Sequence, residues 1–407
     1  MTQPVAASPS IFLTNPRHRR GPYPNRFRAT LSREAGARAA AVIRSWSGYA
    51  PTPLVSLPKL AADLGVAAIS YKDEGGRFGL GSFKALGGAH AVFRLLAGEL
   101  ERRSVRPTDL AALAAGRLAD AVADITVTCA TDGNHGRSVA WGASLFGARC
   151  VIFVHATVSE GRAEAIRRFG AEVIRTTGNY DDSVREAARM AAEKGWFVVF
   201  DTSYPGYVDV PRDVMQGYAV MVEEAVAALD RPPTHVFVQG GVGGLAAAVT
   251  AELWETYGAD APTVVVVEPL TAACLYESAR AGVVTAVGGD LDTLMAGLAC
   301  GEPSLIAWPI LDEGVAAFTA ISDATAVDAM RRLADGSTGA TIVGGESGVA
   351  GLAGLIDLSA HPDRRAAIGL DASSRVLVFG SEGDSDPELY RNLVGRSGDA
   401  VRAEAHP

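Results

Sequence analysis

The chain alternates short, largely apolar runs with longer, alanine-rich segments of helical period. "DITVTCA" (124–130), "CVIFVH" (150–155), "EVIRTT" (172–177), "WFVVFD" (196–201), "HVFVQ" (235–239), "TVVVVEP" (263–269) and "RVLVFGSEG" (375–383) have the length and β-branched content of strands. Among them lie "RSVAWGASLFGA", "GRAEAIRRFGA", "YDDSVREAARMAAEKG" and "LAAAVTAELWETYG", whose apolar positions recur at helical spacing. Apolar strands bracketed by helices belong to parallel sheets covered on both faces. The pattern therefore predicts an α/β chain. Residues 1–50 read as an irregular arm followed by a helix, "SREAGARAAAVIRSW", capped by Ser32.

Open parallel sheets bind ligands at the carboxyl ends of their strands, where glycine-rich turns lead into helices. Three turns qualify: "ATDGNHG" (130–136), "QGGVGGL" (239–245) and "GSEGDSD" (380–386). In the second, Gly240, Gly241, Val242, Gly243 and Gly244 let successive backbone N–H groups close on an anion at the positive end of a helix. The turn has neither the GK[ST] of a P-loop nor the strict order of a dinucleotide site. A tight turn with close helix packing is its plain structural alternative. In "TDGNHG", the backbone around Thr131 and Gly133 can hold a carboxylate. Asp132 is out of place beside such an anion unless it binds an ammonium or moves a proton; the alternative is a helix cap. His135 reads as chiefly structural within that substrate loop.

Length and charge narrow the class. At 407 residues, two domains are expected, at roughly one per 150 residues. A formal charge of −9 argues against nucleic acid or an anionic membrane as the main partner. Arg17, Arg19 and Arg20 form a small basic cluster, read as part of a solvated arm. No apolar run reaches the roughly 18 residues of a membrane span. The polar start lacks the apolar stretch of a signal peptide, so a cytoplasmic enzyme is expected. Cys129, Cys150, Cys274 and Cys300 lack metal-ligand spacing and read as reduced, buried thiols. Cys274 and Cys300 flank one segment, which leaves open whether they meet.

Lysine is rare here. The chain has four (Lys59, Lys72, Lys84, Lys194) within a Lys and Arg total of 37. A position that keeps lysine can need an amine that loses its proton and attacks a carbonyl. Lys84 of "SFKALGG" sits between Phe83 and Leu86 with no acidic side chain nearby in sequence. This reads as partial desolvation, which lowers an amine's pKa. Taken alone, it reads as a snorkelling surface lysine. Together with a phosphate cup in an α/β chain, it points to pyridoxal 5′-phosphate (PLP), whose aldehyde takes the amine and whose phosphate takes the cup. Asn134 could then hydrogen-bond the cofactor's phenolic oxygen.

"SFKALGG" and "GNHG" resemble signatures of fold-type II PLP enzymes, the serine/threonine dehydratase and cysteine synthase group. Longer strings are similar to the diaminopropionate ammonia-lyase family: "YKDEGGRFGLGSFKALGG", "TCATDGNHGRSVAWGA", "DTSYPGY", "PRDVMQGY", "MAGLACGEPS" and "SEGDSDPELYR". They run in family order from about residue 50 to residue 395. The resemblance implies two parallel-sheet α/β domains, as in the tryptophan synthase β chain, with the cofactor in the cleft. A small domain at 90–215 would be inserted in a large one formed by 1–89 and 216–407, and the enzyme would be a homodimer. It implies α,β-elimination from 2,3-diaminopropionate to pyruvate and ammonia. Lys84 would be the Schiff-base lysine and one base, and Asp132 the second acid/base. Asp201 would be a carboxylate near the substrate's β-amine, and the Ser381 hydroxyl would face the pyridine nitrogen. The chain departs from the family at Gly75, Gly76 and Gly81, where bulkier residues are expected, and at the acidic Asp209 and Asp213. A lyase or dehydratase on a related β-substituted amino acid, such as serine or threonine, is the alternative. A non-catalytic PLP-binding protein is a third reading.

Overall fold

The computed structural model describes residues 10–103, 108–131, 133–178 and 180–405. In chain order its strands are β1 (Ile11–Thr14), β2 (Leu54–Ser56), β3 (Ala68–Asp73), β4 (Thr126–Ala130), β5 (Arg149–Val154), β6 (Glu172–Arg175), β7 (Phe197–Val198), β8 (His235–Gln239), β9 (Thr263–Pro269), β10 (Ala317–Ile321) and β11 (Arg375–Gly380). They form two sheets in two units.

The first unit comprises residues 10–22, 53–73 and 228–405. Its sheet runs β1-β10-β9-β8-β11-β3-β2. The five inner strands are parallel, and the two edge strands, β1 and β2, are antiparallel. All seven residues of β9 are buried, as expected for a central strand covered on both faces. Full burial of each valine there contributes about 1.5 kcal/mol or more. From β8 the chain steps through β9 to β10 on one side, while β11 pairs on the other. The strand order therefore reverses at β8 and β11, the switch point at which parallel sheets bind ligands.

The second unit comprises residues 23–52 and the described part of 74–227. Its sheet is β6-β5-β4-β7, all parallel. It reverses in the same way, between β4 and β7. The boundaries expected at 89/90 and 215/216 fall inside two 20-residue helices, Lys84–Arg103 and Asp209–Ala228. A hydrogen-bonded helix is not divided, and both belong to this unit almost whole.

Most elements read from the pattern form. Ser32 caps its helix by accepting from the Ala35 N–H at 3.2 Å. The arm is not irregular throughout, because β1 adds to the edge of β10. Nor is its basic cluster wholly solvated: Arg17 pairs with Asp312 at 2.5 Å and donates to the Ala279 carbonyl at 2.6 Å. β2, β3 and β10 escaped the reading. β2 has three residues, and β3, "AISYKD", carries a lysine and an aspartate. "WFVVFD" shortens to the two residues of β7, for a reason that lies in the site.

Candidate active site

In the second unit the site grows from the two loops at the switch point. After β4, the Thr131 hydroxyl, buried, accepts the N–H groups of Gly133 (3.0 Å) and Gly136 (3.1 Å), folding the loop into the start of the helix Asn134–Phe146. Asp132 lies outside the described residues. After β7, Val199 donates its N–H to the Thr128 carbonyl, and then the chain leaves the ladder. The Phe200 N–H donates to the Tyr207 hydroxyl at 2.9 Å, and the Val199 carbonyl faces His135 Nε2 at 2.8 Å. These two contacts end the strand early and turn Asp201 out of the sheet.

Lys84 opens its helix, and Nζ lies 2.5 Å from Asp201 Oδ2. Local sequence showed no acid near this lysine; the fold supplies one from 117 positions away. Nζ also lies 5.4 Å from the Phe83 ring centroid, and that ring packs on Tyr218 at 4.6 Å. His135 Nδ1 approaches the same Asp201 oxygen at 3.8 Å. Burial alone would push the Asp201 carboxyl up. The Lys84 ammonium, His135 and the Lys84 hydrogen bond outweigh it and hold the carboxyl well below the usual carboxylate range. The loop ahead of Lys84 is fixed by Arg77, which is buried. It makes paired hydrogen bonds of 2.7–2.9 Å to both Glu74 and Glu224. Gly81 stands in this loop at φ +78°, a conformation glycine takes without strain, which accounts for the missing side chain. The acidic departures are paired locally: Asp209 with Arg212 at 2.9 Å, and Asp213 with Arg94 at 3.8 Å.

In the first unit, Gly240–Gly243 leads from β8 into the helix Gly244–Tyr257. Gly241 and Gly243 have φ of +63° and +99°. A Cβ on Gly240 would sit 2.6 Å from Glu268 Cγ, and one on Gly243 2.8 Å from Leu311 Cδ1. The turn therefore requires glycine in order to form a bare backbone cradle. The Val242 carbonyl is tied to the Ser304 N–H at 2.8 Å. Glu268, buried, accepts the N–H groups of Leu275 and Tyr276, yet burial pushes its carboxyl up to about 8. Ser381 follows β11 and is buried. Gln239, the last residue of β8, sets its Nε2 at 2.7 Å from Ser381 Oγ and at 2.8 Å from the carbonyls of Gly348 and Phe379. The amide nitrogen shares its two hydrogens among these three oxygens and cannot accept, so the Ser381 hydroxyl hydrogen remains for another acceptor.

These residues fit PLP. A cradle without side chains at the start of a 14-residue helix suits a phosphate. A lysine beside a carboxylate suits the aldehyde, and a buried hydroxyl with its hydrogen to give suits a ring nitrogen. Cys129, Cys150 and Cys274 are buried, and Cys300 is half-buried rather than buried. Cys274 Sγ lies 3.6 Å from the Gly241 carbonyl. Among the described residues no cluster of three or more His, Cys, Asp or Glu could hold a metal ion, and no helix is long and apolar enough to cross a membrane.

The sequence matches the family model "Pyridoxal-phosphate dependent enzyme" over residues 46–379, and the chain belongs to that family. Its parallel-sheet units are those of fold-type II PLP enzymes. The chain is 40% identical to the diaminopropionate ammonia-lyase of Salmonella typhimurium over 380 residues, which cover 90% of this chain and 94% of that one. It is also 40% identical to the enzyme of that name from Escherichia coli, over 87% and 90% of the two chains. The crystal structure of the Escherichia coli enzyme with an aminoacrylate–PLP azomethine intermediate superimposes with a TM-score of 0.86 at 36% identity, covering 95% of this chain and 97% of that one.

Gln239, Tyr218 and the Glu74–Arg77–Glu224 cluster went unread in the sequence. Gln239 opens "QGGVGGL", and only its glycines carried the signal.

Proposed function

We propose that this protein is a PLP-dependent ammonia-lyase that converts 2,3-diaminopropionate, with uptake of one water, to one pyruvate and two ammonia. PLP supplies an aldehyde that holds the substrate's amine and a ring that draws electrons from its Cα. The supporting observation is the 2.5 Å pair of Lys84 with Asp201. A β-amine leaves as ammonia only when it departs protonated, and a carboxylate beside the reacting amine attracts that ammonium and keeps it charged. Dehydration, which expels hydroxide, has less use for this anion. The two relatives named diaminopropionate ammonia-lyase support the same substrate along most of the chain.

In this reading Lys84 attaches the cofactor and, once released, takes a proton at the substrate's Cα. Asp201 binds the β-ammonium. The 240–244 turn takes the phosphate, the Ser381 hydroxyl donates to the ring nitrogen, and Asn134 binds the phenolic oxygen. The loop of Thr131, Gly133 and His135 receives the substrate carboxylate, and Asp132 serves as the second acid/base by its motif position. The same reading carries a cytoplasmic homodimer. The test is pyruvate and ammonia release from both isomers of 2,3-diaminopropionate, from serine and from threonine. Diaminopropionate should be turned over with a kcat/KM at least about tenfold above serine, a preference of about 1.4 kcal/mol. Faster turnover of serine would overturn the substrate and favour the dehydratase reading.

A further inference from the structure

We propose that His135 is a positioning residue for Asp201, present as an imidazolium whose charge holds that carboxylate ionised and turned toward Lys84. The argument begins at the other ring nitrogen. His135 is 7% exposed, and its Nε2 sits 2.8 Å from the Val199 carbonyl. A carbonyl can only accept, so Nε2 bears a hydrogen. That leaves two states for Nδ1, which faces Asp201 Oδ2 at 3.8 Å. A neutral ring would aim a lone pair at a carboxylate in a half-buried site. A cationic ring aims an N–H at it, and the contact becomes attractive. Facing an ionised carboxylate, the cationic ring is the favoured state, most strongly when Lys84 carries no competing charge.

The lysine cannot do this work alone. Its nitrogen is engaged covalently when it attaches the cofactor, and it is neutral when it acts as a base. The other ionisable groups facing Asp201 among the described residues are Tyr207, Tyr218 and Cys129. Burial pushes each of these up, so they stay uncharged at neutral pH. His135 is then the cation that keeps the carboxylate ionised while Lys84 carries no charge of its own. The role also explains the early end of β7: the Val199 carbonyl that would continue the ladder instead fixes the ring.

The role rests on the function proposed above, so the test includes a readout that does not need turnover. His135→Gln keeps an N–H donor for the Val199 carbonyl and removes the charge. In the holoenzyme, the acid limb of the kcat/KM–pH profile for 2,3-diaminopropionate should move up by about one pH unit or more, because a unit charge under 4 Å away is lost. Cofactor content and melting temperature should stay close to those of the parent. An unmoved limb would overturn the proposal. The ¹⁵N chemical shifts of the His135 ring in the unsubstituted holoenzyme should show both nitrogens protonated at neutral pH. A neutral tautomer with hydrogen on Nε2 alone would overturn the proposal, even if His135→Gln failed to fold. If diaminopropionate is not turned over at all, the function reading fails, while the ring shifts still decide the charge of His135.

Discussion

The two units repeat one topological idea with opposite chemistry. In each, the site loops leave the carboxyl ends of the two strands where the strand order reverses: β4 and β7 in one unit, β8 and β11 in the other. The β4/β7 side gathers charged side chains, with Lys84 Nζ at 2.5 Å and His135 Nδ1 at 3.8 Å from Asp201 Oδ2. The β8/β11 side has a bare glycine turn, a neutral serine and a neutral glutamine. Parallel-sheet geometry thus selects where a ligand goes, and side-chain identity decides what happens there. In the function proposed above, the charged side would move protons and the backbone side would hold the cofactor's phosphate.

Substitutions on the two sides should therefore fail differently. The largest effect is expected for Lys84→Ala, which in the proposed function removes both the attachment point and a base. Turnover should fall by about 10³-fold or more, and the visible absorbance of the bound cofactor should disappear from the spectrum. Asp201→Asn should leave that absorbance in place while lowering kcat/KM by about 10²-fold or more. The Asp201 carboxyl also couples to pH. Held below its ordinary value, it stabilises the folded protein above pH about 4, and that contribution is lost on acidification. Asp201→Asn should flatten the acid side of a melting-temperature profile.

On the backbone side, Gly240→Ala places a Cβ against buried Glu268. It should cost about 1–3 kcal/mol of stability and weaken cofactor binding, read by equilibrium dialysis, with kcat at saturating cofactor less affected. If Gly240→Ala instead removed turnover while cofactor binding stayed normal, the division between the two sides would break down. The smallest effect concerns Glu268. Its carboxyl is raised to about 8 by burial, above the value of about 4.3 of an unfolded chain. The native state therefore binds more protons than the unfolded state between those values, and stability declines as pH rises through that window. Glu268→Gln should remove the decline, narrowing the drop in melting temperature between pH 6 and pH 9 by about 2 °C or more.

The same contrast sets what was legible in the sequence. The glycine turn could be read directly, because its function lies in consecutive residues and φ values that glycine alone takes easily. The sheets were legible where strands are central and uniformly apolar, as in β8 and β9, and illegible at β2 and β3, where short length or charged residues break the pattern. The charged side was harder. Lys84 stood out by rarity, but its surroundings were misjudged, since its carboxylate arrives from 117 positions away. Asp201 entered only through a family resemblance. The contact between His135 and the Val199 carbonyl has no local signature at all, because it depends on a strand ending two residues before an apolar run does. The small-domain limits at 90 and 215 likewise entered only through that resemblance, and unbroken helices cross both points.

The account depends most on where the cofactor is attached. Borohydride reduction of the holoenzyme, followed by peptide mass mapping, fixes the cofactor to whichever lysine carries it. With lysine at only four positions, the outcome is unambiguous. The pyridoxyl mass should fall on the peptide containing Lys84 and be absent from those of Lys59, Lys72 and Lys194. Label on any of these three, or a reduced protein carrying no label, would contradict the assignment on which both sides of the site depend.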